Sequence, residues 1–175
     1  MKIVLDTNVI ISALINPNGI PAQILNLVIN GKILFYYDNR ILTEYSEVLR
    51  RKKFGFEEDW INAFMDFVKN EGEFVIAEPL KIIFEDEEDK KFFEVAKSGK
   101  VFYLVTGNKK HFPKDKIVIT PKEFMELLKE KRPSLGGAVR LGREGRYFRE
   151  QRIMRCARSA SLGLRHILLS LKPKD

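Results

Sequence analysis

The sequence predicts an α/β fold, a parallel sheet covered by helices on both faces. Two observations carry this. Short apolar runs of strand length alternate with longer segments of helical periodicity, the pattern of crossover units feeding a parallel sheet. At least two of those runs, "KIVLDTN" and "VFYLVTGN", end in polar residues at the carboxyl end of the strand, where ligands of such sheets usually sit. The chain has 175 residues, long enough for one domain with a proper core and short for two.

The elements follow in order. "KIVL" is a first buried strand, and a helix is expected over residues 8–15. Pro21 opens a second helix through "PAQILNLVING", with Gly31 as its stop. "KILFYY" is the next strand. "TEYSEVLRRKKF" reads as a helix with Tyr45, Val48 and Leu49 on one face, and "EEDWINAFMDFVKN" as another with Trp60, Phe64 and Phe67/Val68 as its core stripe. A strand "EFVIA" precedes the acidic "FEDEEDKKFFEVAKSG", which runs into a helix that stops at Gly99. "VFYLVTGN" is a further strand, and "KEFMELLKE" after Pro121 is the last helix of the body.

Composition bounds the class. At 45% hydrophobic and 31% charged residues the chain is ordinary for a globular protein, and the single Cys156 excludes an internal disulfide framework. No run approaches the ~20 apolar residues of a membrane span, and "MKIVLD" reaches a carboxylate too early for a signal peptide, so a cytoplasmic protein is expected. The net charge of +7 is unevenly placed. Residues 1–131 hold 20 Lys+Arg against 21 Asp+Glu, whereas residues 132–175 hold 11 against 3, and nine of those 11 are arginines. This divides the chain into a near-neutral body, 1–131, and an Arg/Gly-rich basic C-terminal extension, 132–175. In the extension Arg140, Arg143, Arg146, Arg149, Arg152, Arg155 and Arg158 recur every third residue. On an α-helix that spacing slips by ~60° per step, so the arginines would circle the helix rather than make one face. Three readings stay open: a disordered basic extension, a segment foreign to the fold, or an arm that grips RNA phosphates.

Three acids stand out by placement: Asp6 at the end of the first strand, Glu44 in the first turn of the helix after "FYYDNRIL", and Asp89 at the start of "DKKFFEVA". All three elements can meet at one edge of a parallel sheet, where hard oxygen ligands suit Mg²⁺ or Mn²⁺. Carboxylates that close raise one another's pKa unless a cation neutralises them. Plainer explanations exist for two of them, because the helix dipole alone favours Glu44 and Asp89 in first turns, and Asp86 can cap the next helix. Asp6 has no such explanation, since an apolar strand-to-helix junction is a costly place for an unpartnered carboxylate. Asn8 either orients Asp6 or N-caps its own helix, and Thr106 either fixes the "VTGN" turn or presents a hydroxyl to the site. His111 is expected to be a phosphate or surface contact.

Taken together, "IVLDTNVIISALI", "ILTEYSEVLRR", "DEEDKKFFEVAKSGKVFYLVTGNKKHFP" and "IVITPKEFMELL" resemble a PIN domain, of the branch labelled as toxin components and similar to VapC. The resemblance covers residues 1 to about 130. It implies a three-layer α/β/α fold around a central parallel sheet, with metal-dependent ribonuclease activity, Mg²⁺ or Mn²⁺ as cofactor, RNA as substrate, an antitoxin protein as partner, and a homodimer. Carried over by position, Asp6, Glu44 and Asp89 match the family's first three acids, with Asp86 one turn earlier as an assisting ligand. The fourth position, often Asp after "TG", is Asn108, which brings an amide oxygen but no charge. Asn8, Thr106, Asn108 and Lys109 would orient the water or the RNA phosphate. The rivals are a phosphotransferase with Asp6 as nucleophile, which would want an acid where Asn8 stands, and a PIN-like module that binds RNA or protein without cutting.

Overall fold

The structure, a computed structural model, describes residues 1–82, 84 and 86–130. The basic extension expected from residue 132 lies outside the described residues. Among those described, no helix is long and apolar enough to cross a membrane.

Among the described residues five strands form one parallel sheet in the order β3-β2-β1-β4-β5, with β1 at Lys2–Leu5, β2 at Leu34–Tyr37, β3 at Glu73–Phe74, β4 at Tyr103–Val105 and β5 at Val118–Ile119. Ile3 is in register with Phe35 on one side and Tyr103 on the other. Ile3, Val4 and Leu5 are buried, as a central strand covered on both faces requires. Among the described residues six α-helices accompany the strands: α1 Thr7–Ile15, α2 Ile20–Ile29, α3 Asn39–Leu49, α4 Glu58–Glu71, α5 Lys90–Ser98 and, after β5, α6 Pro121–Glu130.

Adjacent residues of β2 show which face each helix covers, because successive side chains of a strand point opposite ways. A Cβ on Gly72, at the end of α4, would stand 2.7 Å from the Tyr37 ring and 2.5 Å from the Val68 carbonyl. A Cβ on Gly99, at the end of α5, would stand 2.9 Å from the Tyr36 ring. So α4 lies on one face and α5 on the other, and both helices end on glycine because a larger residue has no room. The α4 side is aromatic: Phe35 stacks on Phe67 at 5.9 Å and Trp60 on Phe64 at 5.5 Å. Trp60, Phe64, Phe67 and Val68 are buried as their spacing predicts.

The α/β expectation holds, with three local corrections. Helix α3 starts at Asn39 rather than Thr43, because Asp38 caps it by accepting the Ile41 amide at 2.9 Å. The "EFVIA" strand is only two residues long; Val75 adds one more bond, its amide to the Tyr37 carbonyl at 2.8 Å, before the chain leaves the edge. The fifth strand is also two residues, too short to carry a periodicity of its own.

From β1 the chain builds outward through β2 to β3, then returns to the other side of β1 for β4 and β5. The reversal lies between β1 and β4, and a crevice opens there at the strands' carboxyl ends.

Candidate metal centre

Asp6 stands in that crevice. Its backbone amide extends the β1–β4 pairing to the Val105 carbonyl at 3.0 Å, and its side chain caps α1 by accepting the Asn8 amide at 3.2 Å. The second carboxylate oxygen accepts from the Asn8 side-chain amide and from the Thr106 hydroxyl, each at 2.6 Å. The residue is 3% exposed, and among the described residues no cationic side chain pairs with it. Burial therefore pushes its pKa up to about 6, against the lowering effect of the Thr106 and Asn8 hydrogen bonds. Asn8 settles between its two sequence readings: Asp6 is the cap, and Asn8 orients it while accepting the Gly107 amide at 2.9 Å. Thr106 is fully buried, and its hydroxyl, which donates to Asp6, also accepts the Asn108 backbone amide at 2.9 Å, so it ties the acid to the "VTGN" turn.

Glu44 enters the same cleft from α3. Since α3 begins at Asn39, Glu44 lies in the second turn, and the helix-dipole explanation for it falls away. One of its oxygens accepts the Thr7 hydroxyl at 2.5 Å; the other lies 2.6 Å from the Lys91 ammonium.

The third station is Asp89, at the entrance to α5. Its side chain does not cap the helix but meets His111 Nδ1 at 2.8 Å. The Asn108 side-chain nitrogen lies 3.1 Å from the same Nδ1 and 2.7 Å from Nε2, so His111 sits between Asp89 and Asn108. Burial raises the Asp89 pKa, with the His111 hydrogen bond acting against it. Asp86 closes a tight turn by accepting the Glu88 amide at 2.9 Å. Asp86, Asp89 and His111 each offer a ligand atom within 4.8 Å of the others.

The cleft lining thus brings together Asp6, Asn8, Glu44, Asp86, Asp89 and Asn108. Lys109 is not among the lining residues; its ammonium lies 3.2 Å from both oxygens of Glu123. Three features escaped sequence reasoning. Lys91 pairs with Glu44, His111 joins the acids, and Arg40 sits between the buried Asp38 and Glu94, at 2.8 and 2.6 Å. Only the last left a local trace, in the capping pattern "DNRIL".

A divalent cation suits this donor set. Asp86, Asp89 and His111 bring two carboxylates and an imidazole together, a set that Mn²⁺ in particular accepts; Asp6, a buried carboxylate held by neutral donors alone, and Glu44 line the same cleft outside that close group.

The PIN domain family matches residues 2–110. The chain is also similar to the uncharacterized protein MJ1680 of Methanocaldococcus jannaschii, 38% identical over 144 residues that cover 72% of this chain and 90% of that protein.

Proposed function

This chain belongs to the PIN domain family, and from that premise we propose that it is a metal-dependent endoribonuclease. The observation that carries the reading is Asp6, buried at the sheet's switch point with no cationic partner among the described residues, facing a cleft that also holds Glu44, Asp86 and Asp89. Those four carboxylates would hold Mg²⁺ or Mn²⁺. The bound ion would lower the pKa of a water and neutralise charge building on the phosphate.

The residues do the rest. Asp6, fixed by Thr106 and Asn8, keeps one carboxylate in a constant position across the β1–β4 crevice. Asp89 and His111 form a hydrogen-bonded pair in the same cleft, with the Asn108 side-chain amide against the imidazole. Attack of water on phosphorus forms one P–O bond and breaks the bond to the 3′ oxygen, leaving a 5′-phosphate and a 3′-hydroxyl. In the same reading the protein acts in the cytoplasm as the toxin component of a toxin–antitoxin pair, as a homodimer, with an antitoxin protein as its partner. What supports that extension is the resemblance of the "DTN", "TEYSEVLRR", "DEEDKKF" and "VTGN" segments to the toxin branch of the family.

The test is cleavage of a mixed-sequence single-stranded RNA by the full chain with Mn²⁺, with Mg²⁺ and with chelator, beside Asp6→Asn. Metal-dependent cutting lost in the variant is expected. Asn108 favours the second reading, a PIN-like module that binds RNA or protein without cutting. No cutting by the wild type under any metal, with RNA binding intact, would move the assignment there.

A further inference from the structure

We propose that Lys91 is a catalytic residue of this cleft, an ammonium held on Glu44 in the free protein and handed to a phosphate oxygen when metal and RNA enter. The inference rests on the nuclease reading above and adds a residue that reading does not use.

Lys91 is the second residue of α5, two positions after Asp89. Its side chain is only 15% exposed, and its ammonium lies 2.6 Å from Glu44 and 5.5 Å from the Phe92 ring centroid. With Thr7 on the other oxygen, both sides of Glu44 are taken. The other paired cations lining the cleft are committed elsewhere. Lys90 lies on Glu87 at the solvent edge, 3.2 Å away, and Arg40 is shared by Asp38 and Glu94, whose burial would leave either acid stranded without it. Among the described ion-paired lysines and arginines of the cleft, Lys91 is the one whose partner is an acid that a divalent ion would also claim.

That double claim defines its role. A dication outcompetes a single charge for a carboxylate, and a lysine on a four-carbon stem can swing to a new acceptor without disturbing the backbone. Four carboxylates facing one dication leave a surplus of negative charge, and an RNA phosphodiester adds more. Asn108 already omits one charge from the set, and Lys91 offsets a second from inside the cleft. Phosphoryl transfer depends on such fixed positive charge beside the reacting oxygens. The step asks for no proton from Lys91: the ammonium moves from a carboxylate oxygen to a phosphate oxygen and returns when product leaves.

Lys91→Met keeps the stem and removes the charge; Lys91→Arg keeps the charge. The full chain is titrated with Mn²⁺ by calorimetry without RNA, and cleavage is then measured for kcat and KM. Removing the competing ammonium should tighten Mn²⁺ binding by roughly three- to fivefold. In the same variant kcat should fall by about 10²-fold or more, with part of it restored in Lys91→Arg. Opposite signs in the two measurements are the signature, because a lysine that only propped Glu44 would weaken both. Mn²⁺ binding that is unchanged or weaker in Lys91→Met overturns the proposal, as does a wild-type kcat. A wild-type protein that never cuts RNA overturns the nuclease reading and this role with it, and the Mn²⁺ titration tells that case apart from a failure at Lys91 alone.

Discussion

Buried carboxylates in and beside the cleft are treated in two opposite ways. Asp38 and Glu94 are 6% and 2% exposed, and every one of their oxygens has a partner. Asp38 accepts the Ile41 amide and the Arg40 Nε–H; Glu94 accepts the Leu80 amide and an Arg40 Nη–H. Asp6 is as deeply buried, at 3%, and its oxygens are as fully hydrogen-bonded, yet every donor is neutral. Hydrogen bonds satisfy lone pairs; they do not cancel charge. The first pair is finished and holds α3 to α5. Asp6 is positioned but not neutralised, which is what a carboxylate awaiting a cation looks like.

The comparison is open to attack at several points. The largest expected effect comes from Asp6→Asn. Metal-dependent RNA cleavage should fall by about 10³-fold, and the metal-free variant should melt above the wild type at pH 7.5, since a neutral amide sheds the cost of a buried charge. A variant that melts lower would show that the Asp6 charge is already compensated.

Next in size is a pH effect. Folded Asp6 holds its proton up to about pH 6, against 3.8 for an ordinary aspartate, so between those values the native state binds more protons than the unfolded chain. Metal-free stability should therefore fall as pH rises through this window and level off above it, by on the order of 3 kcal/mol in all. Asp89, shifted the same way, steepens the same slope. Denaturant titrations at pH 4.5 and 7.5, with and without Mn²⁺, measure it, and Mn²⁺ should erase most of the difference by stabilising the charged form. Asp115 and Glu123, whose pKa values are lowered by Lys97 and by the Thr120 amide respectively, lose their contributions only at more acid pH.

Arg40→Met tests the other half of the comparison. It strands two buried acids, and since the arginine is itself 47% exposed, the expected loss is about 2 kcal/mol, below the 3–5 of a fully buried pair. A melting temperature unchanged within a degree would mean water already serves Asp38 and Glu94. Smallest is Asn108→Asp, which restores charge beside His111 and should tighten Mn²⁺ binding by roughly threefold to tenfold in the same calorimetric titration. No change would place residue 108 beyond the ion's reach.

How much of this was legible in the sequence follows from the range of each interaction. Asp6 declared itself because its oddity is local, a carboxylate ending an apolar strand. The Asp86–Asp89 segment did so for the same reason, in the abrupt change from acid to apolar helix. Asp38 was legible in principle, as a cap five residues ahead of Thr43, where the α3 periodicity becomes obvious, and reading it would have moved Glu44 out of the first turn. The pairs Lys91–Glu44, His111–Asp89 and Arg40–Glu94 join residues 22 to 54 positions apart, and no spacing rule on one helix or strand can see them. Strand β5 escaped for a different reason, since two residues between turns leave no pattern to count.

The bond from Thr106 to Asp6 spans 100 positions of chain. A ribosome adding about 5–20 residues per second therefore makes the acid some 5–20 s before it makes the hydroxyl that holds it in place. Until β4 has been synthesised and has paired with β1, Asp6 lacks both the Thr106 hydroxyl and the Asn8 side chain anchored by Gly107. The acid is made early, but the geometry that would let it act arrives only with the sheet's fourth strand, so an incomplete chain carries the residue without the site.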